Sequence, residues 1–295
     1  MKLSIGLACW AVRFAVAEEE RFVSDFTAFG EMERKGWFDV ARASDYVALF
    51  APASDQAIDP LLDAVGAEPG CKALDLCCGQ GNASRALIGR GCRVVGVDFS
   101  PAMLALAREK VPEATFVEGD AQNLAFADGE FDVVVSNLGI CHVPDQKRAL
   151  WQVRRVLRPG GRFAMTVWCG PDVSPCFEVI YGALKAHGSP DVLAPPGPDF
   201  HQFARPEVAE HLLSEAGFSD VEVKIIDCAW DLDAPEGLSE IFEKGTVRAA
   251  TLFASQPPQN LAAIRSALAQ AVRERFANGD RWRVPVPAAL VRATA

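Results

Sequence analysis

The spacing of hydrophobic and polar positions changes at about residue 72 of the chain. From there, runs that are apolar on both faces alternate with segments in which apolar residues recur at helical spacing. Buried strands are predicted over 72–78, 93–99, 114–119, 131–138 and 162–168. Helices are predicted between them over 82–90, 100–110 and 145–157. Strands that are buried on both faces and separated by helices form parallel sheets with helices on each side, so the pattern predicts a doubly wound, Rossmann-like α/β fold.

The ends of these helices carry recognisable signals. Asn82 is predicted to cap the first helix, and Ser100 the second, in which Pro101 takes the first helical position. The run Pro-Gly-Gly at 159–161 ends the third helix. These signals support the same division into strands and helices as the hydrophobic pattern.

Beyond residue 169 the alternation is interrupted by two insertions. The first, over 170–205, is rich in proline and is predicted to carry a short helix over 177–187. The second, over 231–280, is predicted to form two helices separated by the proline pair at 257–258. The remaining elements belong to the sheet and are predicted as a helix over 206–216 and strands over 221–228 and 282–293. These elements bring the number of predicted strands to seven. We expect the sheet to be mostly parallel and its last strand to be antiparallel.

The chain divides into four predicted segments. Residues 1–70 form a helical extension that covers one edge of the sheet, and 71–169 form the core of the sheet. Residues 170–205 are the first lid insertion, and 206–295 complete the sheet around the second insertion. The length of 295 residues exceeds a minimal core because of the extension and the insertions.

The first 17 residues allow more than one interpretation. Lys2, the apolar stretch 3–12 and the Ala-Val-Ala run at 15–17 are similar to a secretory signal with its cleavage site. Arg13 interrupts that pattern, and we favour an amphipathic helix or a poorly ordered extension over export. No other stretch approaches the roughly 18 apolar residues of a membrane span. We expect a cytoplasmic protein with no membrane span.

Composition narrows the range of partners and metal sites. The chain carries 39 acidic and 29 basic side chains, a net charge of −10. Nucleic acid is a disfavoured partner because binding its phosphates requires clustered lysine and arginine. The nine cysteines are odd in number and form no CxxC pair, so we expect no metal site or disulfide framework and assign most of them to core packing.

A glycine turn after the first strand is the first chemical signal. Gly79 and Gly81 let the chain turn sharply into a helix and let a ligand approach the backbone. Ser84 stands where a dinucleotide-binding motif has its third glycine, which weakens a pyrophosphate interpretation. Asp75 lies just before the turn, where its charge requires donors or a cationic ligand, and Asp98 ends the second strand where ribose hydroxyls bind. NAD, FAD, S-adenosylmethionine and a simple tight turn all remain open at this point.

Five motifs in a fixed order narrow that choice. They are DLCCGQG at 75–81, VDFSP at 97–101, EGDA at 118–121, FDVV at 131–134 and LRPGG at 157–161. In this order the chain resembles a class I S-adenosylmethionine-dependent methyltransferase, and most of all the group of ubiquinone and menaquinone biosynthesis C-methyltransferases. The resemblance covers residues 70–168 well and 206–228 more loosely. It implies S-adenosylmethionine as the cofactor, S-adenosylhomocysteine as the product, and segment 71–169 as the part that binds them.

The resemblance also implies a role for particular residues. Those expected beside the methionine part and the sulfonium are Asp75, Cys77, Gly79, Gly81, Asn137 and Leu138. Those expected beside ribose and adenine are Asp98, Phe99, Met103, Asp120 and Ala121. Tyr46 is expected to contact the cofactor from a helix that closes over it. Cys77 and Cys78 depart from the family, which more often has glycine or another small residue there, and we interpret them as spacers.

Methyl transfer is an in-line displacement that requires a proton acceptor only when the acceptor molecule must lose a proton. His142 follows the fourth strand and is a candidate general base, with a structural or helix-capping role as the alternative. Aromatic residues of the insertions either line an apolar lid over the acceptor or pack the insertions onto the sheet: Phe177, Tyr181, Phe200, Phe203, Trp230, Phe242 and Phe253. The expected acceptor is a small, apolar or aromatic molecule, and the oligomeric state stays open. A nicotinamide-dependent oxidoreductase and a noncatalytic S-adenosylmethionine binder are the alternative functions.

Overall fold

The structure is a computed structural model that describes residues 26–295, and its central feature is a seven-stranded sheet. The order of the strands across this sheet is β3-β2-β1-β4-β5-β10-β6. Their bounds are Lys72–Leu76 (β1), Arg93–Asp98 (β2), Thr115–Glu118 (β3), Phe131–Asn137 (β4), Leu157–Trp168 (β5), Ser219–Ile226 (β6) and Ala288–Thr294 (β10). Strand β10 pairs antiparallel with both β5 and β6, whereas the other pairings are parallel. The predicted mostly parallel sheet with an antiparallel last strand is therefore confirmed.

Helices cover both faces of this sheet and extend beyond its carboxyl ends. The first six are Thr27–Trp37 (α1), Val40–Asp45 (α2), Ala51–Ser54 (α3), Ile58–Ala64 (α4), Asn82–Gly89 (α5) and Pro101–Lys110 (α6). The next six are Gln146–Val156 (α7), Pro175–His187 (α8), Pro206–Glu215 (α9), Gly237–Lys244 (α10), Arg248–Ala254 (α11) and Pro258–Arg275 (α12). Short helical turns lie at Tyr46–Phe50, Asp55–Ala57, Ile140–His142 and Gln202–Ala204. Helix α6 begins as predicted, with the Ser100 hydroxyl accepting a hydrogen bond from the Met103 amide.

Helix α4 of the N-terminal extension covers a face of the sheet, whereas the extension was expected to cover one edge. Ile58, Leu61 and Leu62 on α4 are buried against Val133 and Val135 of β4. Their spacing makes an apolar stripe on one side of the helix, which is shielded from water only by a broad apolar surface. A sheet face provides that surface, and a sheet edge does not. Helices α7 and α9 cover the opposite face.

A second, three-stranded sheet was missed by the sequence pattern. It consists of Ala229–Leu232 (β7), Ala277–Asn278 (β8) and Arg281–Pro285 (β9), in the order β7-β9-β8. The single strand predicted over 282–293 is therefore two strands that belong to different sheets. The break falls at Pro287, which has no amide hydrogen for a ladder. Short antiparallel strands of this kind leave too few residues for a clear alternation of apolar and polar positions.

Two further expectations about helices were wrong. The second insertion holds three helices, because Gly245 ends α10 well before the proline pair at 257–258. Gly81, in a left-handed conformation with φ +80°, occupies the N-cap of α5, and Asn82 is the first helical residue. The Asn82 amide is hydrogen-bonded instead to Asp55, 2.7 Å away. Because Gly81 takes the N-cap position, the side chain of Asn82 can instead connect the N-terminus of α5 to the N-terminal helices.

Most of the cysteines that the structure describes pack in the core, as expected. Those that are buried are Cys78, Cys92, Cys141, Cys169, Cys176 and Cys228. Cys71 and Cys92 face each other across the amino ends of β1 and β2, with their sulfur atoms 2.6 Å apart. Among residues 26–295, no helix has both the length and the apolar composition that a membrane crossing requires.

Candidate active site

Two adjoining cavities lie at the carboxyl ends of β1, β2 and β4. One, of about 220 Å³, lies over the ends of β2 and β3 beneath α1, and we call it the β2–β3 cavity. The other, of about 80 Å³, lies over the ends of β1 and β4, and we call it the β1–β4 cavity. Both are lined by Cys77, Asp98, Phe99, His142 and Val143. The carboxyl ends of strands are where open α/β sheets bind ligands, so these cavities are the candidate site.

All of the predicted site residues except Gly81 line one of the cavities. Asp120 and Ala121 line the β2–β3 cavity. The predicted residues that line the β1–β4 cavity are Tyr46, Asp75, Gly79, Met103, Asn137 and Leu138. Gly81 lies outside both, and a Cβ there would contact Phe116 at 3.2 Å. Its requirement for glycine comes from the left-handed backbone and the packing of α5 against β3.

The turn after β1 is built from unusual backbone conformations. Cys77 has φ +57° and Gly79 has φ +52°, both in the left-handed region. A non-glycine residue in that region is strained, and such strain is found mostly at functional sites. This conformation is the physical reason why glycine suits position 77. Nothing lies within 4 Å of where a Cβ on Gly79 would stand, so this backbone faces open space.

The end of β4 approaches this turn closely. Leu138 also has a left-handed backbone, with φ +57°. A Cβ on Gly139 would collide with the Cβ of Cys77. Glycine at position 139 therefore allows the two strand ends to meet, which closes the floor of the β1–β4 cavity.

Asp98 connects the ends of two elements through its carboxylate. One oxygen accepts a hydrogen bond from the Gly79 amide and the other from the Ser100 amide, each at 2.8 Å. Burial raises the pKa of Asp98, although these backbone hydrogen bonds and the nearby His142 oppose the shift. The carboxylate thus braces the glycine turn in addition to facing both cavities.

Asp75 is a deeply buried acid of the site. Its side chain is 1% exposed and accepts a 2.6 Å hydrogen bond from the Ser84 hydroxyl. Burial raises the pKa of Asp75 to about 7, because the hydrogen bonds from Ser84 compensate only part of the desolvation. A cationic group in the β1–β4 cavity would favour the ionised form of this carboxyl.

The β2–β3 cavity is bounded by a turn that Asp120 stabilises and by an aromatic wall that includes Phe99. Asp120 accepts hydrogen bonds from the backbone and side-chain amides of Gln122, which fixes the turn after β3. Phe99 stacks on Phe38 with ring centroids 6.2 Å apart, and the Arg34 guanidinium lies over the Phe99 ring. The cavity therefore has a flat apolar wall opposite a carboxylate.

The end of β4 is tied to the helical cover by Asn137. Its side chain accepts a 2.6 Å hydrogen bond from Thr166 and donates one to the Ser54 carbonyl. Tyr46 lies above it in the π-helical turn, with its ring edge-on to Trp37 at 5.4 Å. Burial raises the pKa of Tyr46 to about 12, so its hydroxyl is neutral at physiological pH.

His142 is held by a residue that the sequence pattern did not identify. Its Nδ1 lies 2.8 Å from an oxygen of Glu33, which also accepts a hydrogen bond from the Trp37 indole. Burial lowers the pKa of His142, but Cys141 and Glu33 raise it, and the pKa is well above its usual value. Glu33 is a charged residue on an otherwise ordinary amphipathic helix, so no local sequence signal distinguishes it.

Most insertion aromatics pack into a second core and do not line the cavities described here. Phe177, Trp230 and Phe242 form a buried cluster with Phe50 and Trp168. Phe203 and Phe253 are also buried. Phe200 reaches the site, with its ring edge-on to His142 at 5.1 Å.

Comparisons with known proteins match the region that builds the cavities. A family model described as a methyltransferase domain matches residues 74–165. The chain is 43% identical over 121 residues to the demethylmenaquinone methyltransferase of Beutenbergia cavernae, covering 41% of this chain and 50% of that one. It is 34% identical over 177 residues to the demethylmenaquinone methyltransferase of Staphylococcus aureus, covering 54% of this chain and 73% of that one. The match thus spans about half the length of the first relative and nearly three quarters of the second.

A solved structure supports the same fold. Phosphoethanolamine N-methyltransferase 2 of Haemonchus contortus, in complex with S-adenosyl-L-methionine, aligns with a TM-score of 0.57 at 21% identity. The alignment covers 90% of this chain and 59% of that one. At this level of identity the likeness concerns the fold alone.

Proposed function

Since the chain belongs to the class I S-adenosylmethionine-dependent methyltransferase family, we propose that it transfers the methyl group of S-adenosylmethionine to a small, apolar or aromatic molecule. The observation that carries this proposal is the charge of the β1–β4 cavity. Among the residues that the structure describes, its lining includes the carboxylates of Asp55, Asp75 and Asp98 and no lysine or arginine. S-adenosylmethionine carries a sulfonium and an ammonium group, and both are cations that such a lining favours.

The residues present fit this cofactor better than a dinucleotide. The open space beside Gly79 is a cradle that a Cβ would begin to fill, and it lets a ligand approach the backbone. A pyrophosphate would instead meet the buried carboxylates of Asp75 and Asp98, and no lysine or arginine is among the described residues that line that cavity. The lining therefore argues against the nicotinamide-dependent oxidoreductase.

Four of the predicted residues have a proposed role in binding. Asp75 would face the methionine ammonium, and Asp98 the ribose hydroxyls, to which carboxylate oxygens are suitable acceptors. Phe99 supplies an aromatic surface for adenine, and Asp120 an acceptor for its amino group. When bound, S-adenosylmethionine supplies an electrophilic methyl carbon on a positively charged sulfur. The chain's own contribution is to align the acceptor opposite that carbon and to keep water out.

His142 is the proposed proton acceptor for the molecule that is methylated. It lines both cavities, and its side chain is 23% exposed, so a ligand in either cavity can approach it. The neutral imidazole, which prevails at pH values above the raised pKa of His142, accepts the proton of a hydroxyl group as that group becomes the nucleophile. The demethylmenaquinone methyltransferases among the relatives make an aromatic diol a reasonable probe of acceptor class.

Calorimetry with S-adenosylmethionine, S-adenosylhomocysteine and NAD tests the cofactor. We expect both sulfur nucleosides to bind and NAD not to bind. Gly79→Ala places a methyl group in the cradle and is expected to weaken S-adenosylhomocysteine binding at least tenfold, because the ligand can no longer reach the backbone. Gly160→Ala is the matched control, since Gly160 has φ +72° and open space but lies outside both cavities.

One result would contradict the proposed function, and another would contradict the role of Gly79 in it. One is the absence of binding to either sulfur nucleoside. The other is a Gly160→Ala variant that loses binding as much as Gly79→Ala, because the loss would then come from backbone strain alone. The acceptor class is tested with 1,4-dihydroxynaphthalene, by measuring the S-adenosylhomocysteine formed. A chain that binds the cofactor and leaves this compound unmethylated would exclude it as a representative acceptor.

A further inference from the structure

We propose that Glu33 is a positioning residue that orients His142 and controls its charge, so that the proton-accepting unit of the site is a Glu33–His142 pair. Glu33 comes from α1, outside the core that the family model matches. The role of the pair in methyl transfer rests on the proposed function, whereas the pairing itself is a property of the chain alone.

The first argument is the geometry of the pair. Nδ1 of His142 lies 2.8 Å from Oε2 of Glu33, and a carboxylate accepts hydrogen bonds without donating them. The proton of a neutral imidazole is therefore held on Nδ1, which leaves Nε2 as the nitrogen that accepts a further proton. Trp37 and Phe200 flank the ring edge-on at 5.5 and 5.1 Å and restrict its rotation.

The second argument is the burial of Glu33. Its side chain is almost fully buried, and its Oε1 makes no hydrogen bond with any residue the structure describes. A buried carboxylate with one unused oxygen is costly unless a positive charge lies beside it. His142 is the ionisable partner at hydrogen-bond distance. Glu33 therefore favours the protonated imidazole and makes His142 a stronger base than an isolated histidine.

Other charged groups surround the pair from neighbouring elements, among them Arg248 of α11, which interacts electrostatically with Glu33, and Arg34 of α1, which lines the β2–β3 cavity with both residues. Cys141 on the same turn contributes to the raised pKa of His142, together with Glu33. Asp98, at the end of β2, is the second carboxylate that interacts electrostatically with the histidine, since the positive charge of His142 lowers the pKa of Asp98. Glu33 is the carboxylate of this set that is hydrogen-bonded to the ring.

The third argument is how α1 is held in place. Gly30 and Gly36 lie three residues on either side of Glu33, so the three positions share a side of the helix. A Cβ on Gly30 would stand 2.9 Å from Pro144, and one on Gly36 would stand 2.5 Å from Val247. These close approaches fix the helix against the loop after His142 and against the start of α11. The pair is thus assembled by the docking of α1.

The proton balance of the proposed step is simple. An O–H bond of the acceptor breaks, the proton passes to Nε2 of His142, and the electron pair stays on the acceptor. The imidazolium that results is stabilised by the Glu33 carboxylate through the bond at Nδ1. Glu33 touches neither the acceptor nor the reacting carbon in this scheme and acts through the histidine.

The experiment is a pH titration of the histidine rings by long-range nitrogen–proton NMR spectra of the whole chain. There are four histidines, and the signals of His142 are assigned by their loss in His142→Gln. In the wild type we expect protonation on Nδ1 and a midpoint above the usual 6.5. Glu33→Gln keeps an acceptor oxygen but removes the charge, and it should lower the midpoint by about one to three pH units.

Control variants separate this effect from a general disturbance of α1. Lys35→Gln changes a charge on the exposed side of the same helix and should leave the His142 midpoint unchanged. Glu33→Asp keeps the charge but shortens the side chain, and it should give an intermediate midpoint. An identical midpoint in the wild type and Glu33→Gln, or a ring protonated on Nε2, would overturn the pairing. Failure of S-adenosylhomocysteine to bind the wild type would overturn the proposed function and leave this result unaffected.

Discussion

At the scale of one residue, burial makes the ionised form of Asp75 unfavourable in the folded chain. Its pKa of about 7 in the folded chain, against 3.8 for the free group, corresponds to roughly 4 kcal/mol if fully realised. The folded state binds this proton more tightly than the unfolded state. The free energy of unfolding should therefore fall as pH rises from about 4 to about 7, and it should not recover above that range.

Asp75→Asn removes this titration while preserving the shape of the side chain. We expect the variant to gain stability relative to the wild type as pH rises across the same window, because the wild type alone acquires a buried charge. Urea unfolding at pH 4.5, 6 and 8 measures the difference. Asp280→Asn, in an exposed turn, is the control and should give a difference that does not change with pH. A constant difference for Asp75→Asn would contradict the raised pKa.

At the scale of elements, helix α1 connects the sheet core to the second insertion. The close approach of Gly36 to Val247 leaves no room for a side chain at position 36. Alanine has the higher helix propensity, by up to about 1 kcal/mol, but its methyl group would force α1 away from α11. Overpacking a buried contact costs about 1–3 kcal/mol, which exceeds the gain in helix propensity, so the substitution is expected to lower the free energy of unfolding.

Gly36→Ala is therefore expected to lower the free energy of unfolding and to move Glu33 away from His142. The NMR midpoint of His142 should fall toward the usual value in this variant. Val247→Ala added to Gly36→Ala makes room for the new methyl group and should restore the midpoint. Chemical unfolding and the histidine titration measure the two effects. A double variant that behaves like the single one would show that the contact with Val247 does not hold the helix.

At the scale of the whole molecule, an aromatic cluster joins the two sheets to the N-terminal cover. Trp230 of β7 contacts Phe50, Trp168 and Phe242, and its indole donates a hydrogen bond to the Leu49 carbonyl at 3.0 Å. Leu49 and Phe50 belong to the same π-helical turn as Tyr46, which lines the β1–β4 cavity. The second sheet thus supports the wall of the candidate site.

Trp230→Ala should reduce stability by about 3–5 kcal/mol through the cavity it leaves. It should also weaken S-adenosylhomocysteine binding, because the turn that carries Tyr46 loses its support. Trp230→Phe keeps most of the ring contacts and loses the hydrogen bond to Leu49, so its effects should be smaller on both measures. Urea unfolding and calorimetry give the two numbers. Unchanged binding in a folded Trp230→Ala variant would contradict a link between the second sheet and the site.

The motifs of the core could be identified from the sequence because each depends on residues that are close together in it. A buried parallel strand requires a continuous apolar run, and a sharp turn toward a ligand requires glycine. Gly79 and Asp98 could therefore be identified from spacing and from the resemblance of the chain to a family. Glu33 could not, because its role depends on His142, 109 positions away. The second sheet could not be predicted for a related reason, since β7 and β9 pair across about 50 residues.

The sequence by itself determined the elements of the doubly wound sheet, and through its five motifs the family to which the chain belongs. Local patterns suffice for these because the hydrophobic spacing of each element is set by its own geometry. The tertiary structure alone decided which face α4 covers, how the insertion aromatics pack and which acid meets His142. Those outcomes depend on contacts between distant segments, whose free energy comes from burial and charge pairing that appear only when the chain is folded.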